Sequence, residues 1–237
     1  MIAEADIPRL LRVSVERPVP KAEQIYDLLR QAIVRLRMVP GAVISEKALC
    51  LEYGVSRTPV REALKRLADE DLVDVFPHSG TYVSKISFEV AEEGFVIRRA
   101  LEIESIRRAV RFVTDDDIAR LDHLIAGMHD ILNRGALHEY IEVDDAFHAA
   151  IAGISRYPRI WKFINLAKAH LDRMRQLSAP LPGHLAEVTE QHTAIVRALE
   201  RRNAGQAELA MTIHLEASFA VMSAMDGDGE YFKRKDA

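Results

Sequence analysis

The stretch SEKALCLEYGVSRTPVREALKRLADEDLV, residues 45–73, decides the fold of the N-terminal part of the chain. Ser45 is of a type that caps helices and Gly54 of a type that ends them, so a short helix is predicted between them. Ser56 then caps a second helix, in which Pro59 lies in the first turns, where a missing N–H costs least. Two helices joined by a tight turn that contains glycine form a helix-turn-helix.

A helix precedes this motif and two strands follow it. KAEQIYDLLRQAIVRLRM, residues 21–38, places apolar residues at helical spacing, and the VPG of 39–41 ends the pattern. After the motif, residues 72–76 and 81–85 have the composition of short strands joined by a turn through Gly80. The pattern therefore predicts a winged helix-turn-helix.

From residue 89 to residue 225 the sequence predicts helices and almost no strand. Amphipathic stretches follow one another, separated by glycine, proline and asparagine. The predicted helices are 89–112, 115–134, 137–153, 157–178, 184–202 and 204–225. The expected fold class is mainly α, with an N-terminal winged helix-turn-helix domain and a C-terminal all-α bundle of about six helices.

The same patterns divide the chain into four parts. Residues 1–17 are predicted to be a flexible arm, and 18–85 the winged helix-turn-helix DNA-binding domain. Residues 86–226 are predicted to form an all-helical domain, and 227–237 a polar tail.

Composition restricts the function classes. Of the 237 residues 49% are hydrophobic and 29% charged, which is typical of a globular protein and excludes disorder as the dominant state. No apolar run approaches the roughly 18–20 residues that a membrane span needs, so no membrane partner is expected. Cys50 is the one cysteine, which excludes an internal disulfide and cysteine-based zinc modules. These features predict a cytoplasmic protein, in which any metal would bind histidine and carboxylate.

The net charge of −4 hides one positive patch. In the second helix of the motif, four cations (Arg57, Arg61, Lys65 and Arg66) face the single acid Glu62, a local charge of +3. Arg57 and Arg61 are four residues apart, on one face and outside the apolar stripe. Arginine can pair with guanine through two hydrogen bonds, so these two residues are candidates for base contacts. The alternative interpretation of each is a solvated surface charge.

The motif SE..L...YGVSRTPVREAL.RL resembles the GntR family of bacterial transcription regulators, over about residues 20–85. The resemblance implies that the second helix enters the major groove of double-stranded operator DNA and that the wing tip, with His78 and Gly80, reaches the minor groove. At the helix N-terminus, Ser56 and Thr58 offer donors to phosphate, and Arg35 is a candidate backbone contact.

Two positions depart from the family pattern. Ser79 stands where family members often have arginine before the wing glycine, and Leu36 stands where glycine is usual at the exit of the first helix.

Polar residues lie on the apolar stripes of three predicted helices of the C-terminal domain. Asp144 and His148 share a helix face with apolar residues, and His192 and His214 do so in two later helices. A single histidine of this kind is more often a core residue bonded to a carbonyl or carboxylate. Four such groups are costly to bury without a shared partner. A divalent metal, with zinc first and nickel, manganese or iron as alternatives, would satisfy all four.

The motifs DDAFHAAI, EQHTAIVRAL and MTIHLEAS resemble the FCD domain of the FadR-type branch of GntR regulators, over about residues 89–225. The resemblance implies metal ligation by Asp144, His148, His192 and His214. It also implies a homodimer and a small carboxylate effector that modulates operator binding. Arg98 matches a recurrent family position for effector binding, and His170 and Arg173 are further candidates.

These observations predict a metal-containing, effector-responsive transcription regulator, with repression as the expected mode. One alternative is a metal-dependent hydrolase domain fused to a DNA-binding domain, since an open metal site can activate water. Glu142 and Glu190, the glutamates nearest the ligands, lie off the inward stripes, so no general base is evident and no enzyme is expected. A second alternative is that the four residues form a purely structural polar cluster.

Overall fold

The computed structural model describes residues 19–77, 79–157, 159–225 and 230–233. The predicted arm 1–17 and the wing residue His78 lie outside these residues. The described part forms two compact units, and the chain passes from the first to the second between Ser87 and Phe88.

The first unit is a three-helix bundle with a small antiparallel sheet. Its elements are α1 Lys21–Val34, β1 Val43–Ile44, α2 Glu46–Tyr53, α3 Arg57–Ala68, β2 Val73–Phe76 and β3 Gly80–Val83. The strand order is β1-β3-β2, so the two-residue β1, too short to be predicted from its sequence, adds a third strand to the wing.

Local chemistry fixes the helix-turn-helix. The Ser45 side chain accepts a hydrogen bond from the backbone N–H of Ala48 at 3.2 Å, which caps α2, and Gly54 ends α2 in the left-handed conformation at φ 58°. The exit of α1 is also left-handed, since Leu36 has φ 54°. That backbone conformation favours glycine, which accounts for the glycine usual at this position.

Helices α1 and α3 pack through an apolar stripe, and a cluster of polar contacts lies at its edge. Arg30 Nε contacts Glu70 Oε2 at 2.7 Å, the Tyr26 hydroxyl donates to the same carboxylate, and the Arg66 guanidinium lies 3.8 Å from the centre of the Tyr26 ring. The buried stripe residues are Ile25, Leu29, Ile33, Val60, Leu64 and Leu67.

A short piece of the predicted polar tail belongs to this unit. Ile86 N–H donates to Tyr231 O at 2.8 Å, Lys233 N–H donates to Ile86 O at 2.9 Å, and the Phe232 side chain is buried. The described residues 230–233 are therefore packed against the end of the winged domain.

The second unit is all helical. Its elements are α4 Phe88–Phe112, α5 Asp115–Arg134, a 3₁₀ turn Leu137–Glu139, α6 Tyr140–Ile154, α7 Ile160–Ala167, α8 Ala169–Ser178, α9 His184–Glu200 and α10 Ala204–Ser223. The core lies between α4, α5, α6, α9 and α10. The fold class predicted from the sequence is confirmed. None of the helices in the described ranges is both long and apolar enough to cross a bilayer.

The predicted helix 157–178 is wrong, because it is two helices that break at Lys168. The Lys168 side chain is fully buried, and its ammonium contacts the carboxylates of Asp145, at 3.0 Å, and Asp172. The break brings the backbone of α7 against α4, where Gly94 lies so close to the carbonyl oxygen of Ala167 that a Cβ would overlap it. A buried ion pair and a close backbone approach thus set a break that helical periodicity does not reveal.

Candidate metal centre and nucleic-acid interface

Three helices bring the four predicted ligands into one buried place. Asp144 and His148 lie one turn apart on α6, His192 is on α9 and His214 is on α10. All four are at most 2% exposed, and the ring of Phe147 packs edge-on against His148. The helices cross at this point, so residues far apart in sequence become neighbours.

The ligand-type atoms converge. His148 Nε2 lies 3.2 Å from His214 Nε2, and Asp144 Oδ1 lies 3.5 Å from His192 Nε2. Asp144 Oδ2 is 3.8 Å from His148 Nε2. One ring nitrogen from each of the three histidines lies within 4.8 Å of those of the other two. Among the described residues, His192 Nε2 has no hydrogen-bond partner although it is completely buried. A buried nitrogen of this kind needs a partner that the side chains around it do not supply.

The outward ring nitrogens are all held. His148 Nδ1 contacts the carboxylate of Glu102, His214 Nδ1 contacts Gln191 Oε1 at 3.1 Å, and His192 Nδ1 contacts Met128 Sδ at 3.3 Å. With the protons on Nδ1, the Nε2 atoms of all three rings carry free lone pairs, and those of His148 and His214 lie next to each other. Metal-bound histidines have this arrangement, in which an outer partner fixes the ring and its tautomer. The donor set therefore fits a divalent metal.

Electrostatics favour the forms that bind metal. Burial lowers the pKa of His192 to about 3 and that of His214 well below its ordinary value, so both rings are neutral near pH 7. Burial opposes ionisation of Asp144, but the Arg175 guanidinium outweighs it and holds the carboxyl pKa well below its usual range. Burial likewise opposes ionisation of Glu102, but His148 and Arg98 lower its pKa to about 2.

A chain of ion pairs extends from the ligands into α8. Arg175 Nη2 pairs with Asp144 Oδ2, while Arg175 Nη1 lies 2.9 Å from Asp172 Oδ1 and 3.2 Å from Asp145 Oδ1. Lys168 closes the chain, because it contacts both of these last carboxylates. On the other side of the ligands, Arg98 Nε holds Glu102 at 2.6 Å.

A cavity of about 20 Å³ adjoins the ligands, which is room for about one water molecule. Arg98 and Arg175 line it beside Asp144 and His214. The hydroxyl-bearing residues Tyr140, Ser178 and Ser218 also line it.

Of the predicted effector residues, Arg98 lies at this cavity. His170 and Arg173 are buried on α8 and are not among the described residues that line it. The arginine of α8 at the cavity is Arg175, which the sequence did not single out. The sequence gives little signal for Arg175, because its partners are carboxylates of two different helices. Glu102 was missed for the same reason, although its place four residues after Arg98 could have indicated a buried pair.

The two glutamates considered as general bases, Glu142 and Glu190, are both exposed. Outside the ligand set, the Glu102 carboxylate contacts His148 and is bonded to Arg98. It is therefore engaged as a support for His148.

The predicted DNA contacts group at the N-terminus of α3. Ser56, Arg57 and Thr58 are exposed there, and the Ser56 hydroxyl makes no capping bond. Arg61 is 63% exposed in its side chain, and its Nε lies 3.0 Å from Glu46 of α2. Exposed donors at a helix N-terminus suit phosphate and base edges.

The other predicted DNA contacts lie elsewhere in the first unit. Gly80 begins β3 at the wing tip with φ 127°, and Arg35 is partly buried at the end of α1. Arg66, part of the positive patch, is exposed, and its guanidinium lies over the Tyr26 ring.

Comparison with known proteins gives the family. The family described as "Bacterial regulatory proteins, gntR family" matches residues 21–83, and the FCD domain family matches residues 93–217. The chain is 34% identical to the HTH-type transcriptional repressor RspR of Escherichia coli (strain K12), over 91% of this chain and 95% of that protein. It is 36% identical to an HTH-type transcriptional regulator of Streptomyces ambofaciens, over 82% of each chain.

A solved structure shares the fold. The E. coli protein McbR/YncC superposes with a TM-score of 0.75 at 24% identity, covering 86% of this chain and 98% of that one. The families and relatives are transcription regulators and not enzymes, as the sequence predicted. The chain therefore belongs to the GntR family of bacterial regulatory proteins, carries an FCD domain, and is a DNA-binding transcription regulator.

Proposed function

We propose that the protein is a repressor whose helical unit binds a divalent metal and a small carboxylate effector, and that the effector modulates operator binding. The observation that carries the proposal is the convergence of three imidazole rings and the Asp144 carboxylate in one buried place, with His192 Nε2 lacking a hydrogen-bond partner among the described residues. The repressor RspR, 34% identical, supports the mode of regulation.

Asp144, His148, His192 and His214 would hold the metal. Zinc is the first candidate because it suits histidine and carboxylate donors; nickel, manganese and iron are the alternatives. Once bound, the ion would supply a concentrated positive charge and an open coordination position for a carboxylate oxygen. Glu102 fixes the orientation of His148, and Arg175 keeps Asp144 ionised.

The effector site is the cavity beside the ligands. Its guanidinium groups, Arg98 and Arg175, are the described cations that line it, and guanidinium suits carboxylate recognition. Because the cavity holds about one water molecule, an effector of several heavy atoms requires lining side chains to move. His170 and Arg173, which lie elsewhere on α8, would influence this site through the helix and not by contact.

The first unit would bind operator DNA through α3. Arg57 and Arg61 are proposed to contact base edges, and Ser56 and Thr58 to contact phosphate. Arg35, His78 and Gly80 would add backbone and wing contacts. A homodimer would present two such helices to two half-sites, so an effector that shifts the helical units would change affinity. With chromosomal DNA as its partner, the protein would act in the cytoplasm.

Metal analysis tests the proposal against a purely structural polar cluster. Protein purified without chelators is analysed for bound elements by mass spectrometry, and we expect about one divalent ion per chain. The variant His192→Gln should lose most of it, whereas His129→Gln, a substitution on the exposed side of α5, should retain it. Wild-type protein that folds and binds its operator, but carries no metal when purified without chelators, would refute the metal site.

A further inference from the structure

The C-terminal segment makes a second covalent connection between the two compact units. The first connection is direct, because Ser87 is 3% exposed within the first unit and the next residue, Phe88, begins α4 of the second. The second connection leaves the helical unit after α10, which ends at Ser223, and returns to the first unit at residues 230–233. The polypeptide therefore joins the two units at both ends of the helical unit.

Residues 230–233 are docked on the first unit by main-chain and side-chain contacts. Phe232 pairs with Ile86 in a parallel β-bridge, in which the Ile86 N–H donates to Tyr231 O at 2.8 Å and the Lys233 N–H donates to Ile86 O at 2.9 Å. Ile86 is fully buried and Phe232 is 7% exposed, so both side chains are removed from water. The docking position lies two residues before the start of α4.

The two connections also leave the helical unit from neighbouring positions. The centre of the Phe88 ring lies 6.1 Å from that of Phe219 in α10, and Phe95 stacks on the same Phe219 ring at 4.1 Å. These contacts hold the last turns of α10 against the start of α4. Because four residues separate Met225 from Glu230 in the sequence, the second connection spans at most about 18 Å. Both connections are therefore short, and they begin and end beside each other.

Two short connections restrict a motion that a single one permits. One connection alone lets the winged domain rotate about the φ and ψ bonds of Ser87, which are soft. Here the chain and its contacts close a ring, from Ile86 to Phe88, across to Phe219, along α10, and back through Phe232 to Ile86. Rotation about Ser87 must therefore stretch the second connection or break the bridge between Phe232 and Ile86.

We infer that residues 230–233 act as a tether, which limits rotation of the winged domain about Ser87 and thereby restricts the separations of two operator half-sites that the protein accepts. Moving two half-sites apart by one base pair shifts them by about 3.4 Å and turns one relative to the other by about 34° about the DNA axis. A dimer whose recognition helices cannot swivel does not follow that change. The effect on half-sites rests on the homodimer of the proposed function, whereas the tether itself does not.

Variants of the second connection separate tethering from packing. A flexible linker of about twelve Gly and Ser residues, inserted between Gly227 and Asp228, lengthens the connection and leaves residues 230–233 and Ile86 unchanged. Phe232→Ser removes the buried ring, and the insertion serves if that variant does not fold. Two controls should behave like the wild type: the same linker added after Ala237, and Phe232→Leu, which keeps an apolar side chain at the bridge.

The preference for half-site separation is the first readout. An operator is selected from random-sequence DNA with the wild-type chain, and fluorescence anisotropy then gives the affinity for it and for versions with the half-sites one and two base pairs further apart. We expect the wild type and both controls to lose at least about tenfold in affinity when two base pairs are added, because one half-site is then out of reach. The insertion variant and Phe232→Ser should lose less than about threefold, since a longer tether allows both half-sites to be reached.

Tumbling of the winged domain in the free protein is the second readout, and it needs no DNA. Rotational correlation times from ¹⁵N relaxation should be equal for the two units in the wild type and in both controls. In the insertion variant and in Phe232→Ser, the winged domain should tumble faster than the helical unit.

The outcomes separate the inference from the proposed function. An unchanged preference for half-site separation in the folded insertion variant and in Phe232→Ser would overturn the inference and leave the homodimer standing. A winged domain that tumbles independently in the wild type would also overturn it. Selected DNA that contains a single half-site would refute the homodimer and with it the effect on half-sites, while the tumbling measurement still decides whether residues 230–233 act as a tether.

Discussion

Replacing Gly94 by alanine should destabilise the helical unit, although the same change in most helices stabilises a protein. Gly94 lies in the interior of α4, where alanine favours the helix by about 1 kcal/mol. A Cβ there, however, would overlap the carbonyl oxygen of Ala167, at the end of α7. The obstacle is backbone, which cannot turn aside as a flexible side chain can.

Gly127 provides a matched control in the interior of α5. A Cβ there would meet Val143 Cγ1 at 3.8 Å, an ordinary van der Waals contact. Gly127→Ala should therefore raise the free energy of unfolding by about 1 kcal/mol. Gly94→Ala gains the same helix term but forces α4 and the α7–α8 junction apart, and overpacking costs about 1–3 kcal/mol or more when the backbone must move. We expect a net loss of about 1–2 kcal/mol, and a gap of about 2–3 kcal/mol between the two variants.

Differential scanning calorimetry of the two variants and the wild type, at equal metal content, measures the gap. A difference of about 2–3 kcal/mol corresponds to roughly 8 °C in the unfolding midpoint of a unit of this size. The Gly94→Ala variant should also bind metal more weakly, because the displaced junction carries Lys168 and its contact with Asp172. Equal stabilisation by both substitutions would refute the close approach of α4 to α7.

Three further predictions concern the sites. Arg57→Ala and Arg61→Ala should each weaken specific operator binding about 10- to 100-fold in a mobility-shift assay, since one lost base contact costs about 1–3 kcal/mol. The control Arg107→Ala, which removes an exposed arginine of the second unit, should leave the affinity unchanged. Equal effects of all three substitutions would refute the proposed DNA interface. Removal of metal by EDTA should lower the thermal midpoint of the helical unit, because zinc at a hundredfold excess over its Kd stabilises the folded state by about 2.7 kcal/mol. An unchanged midpoint after the loss of metal has been measured would contradict this prediction. Glu102→Gln should weaken zinc binding about 10- to 100-fold in a competition titration, because it replaces the charged carboxylate that holds His148 Nδ1 by a neutral amide. Glu104→Gln, on the exposed face of α4, should not weaken it.

The fold class and family were predictable because their signals are local. The capping residue Ser45, the turn glycine Gly54 and the positively charged helix after Ser56 all lie within a few residues of one another. The i, i+4 spacing of Asp144 and His148 likewise brings two polar groups to one face by helix geometry alone. The helical periodicity that exposed these groups is the strongest signal that a single sequence carries.

What the sequence did not reveal depends on contacts between helices. The predicted helix 157–178 breaks at Lys168, whose charge pairs with carboxylates of α6 and α8. No local sequence pattern indicates these two partners. Arg175 and Glu102 became recognisable only when α4, α6 and α8 placed them beside the ligands. In the same way, the sequence around Phe232 predicts a polar tail, and only the backbone hydrogen bonds of Tyr231 and Lys233 with Ile86 show that it packs against the winged domain.

The pairing of Ile86 with residues 231–233 sets an order on biosynthesis. Ile86 is synthesised with the winged domain, but the backbone groups that bond to its N–H and C=O emerge from the ribosome only after the whole helical unit. During translation, the backbone N–H and C=O of Ile86 therefore lack these hydrogen-bond partners until the end of the chain has been synthesised. A DNA-binding fragment that stops at Ser87 would lack these partners permanently, so a soluble fragment for operator studies should carry the segment 230–233 on a linker.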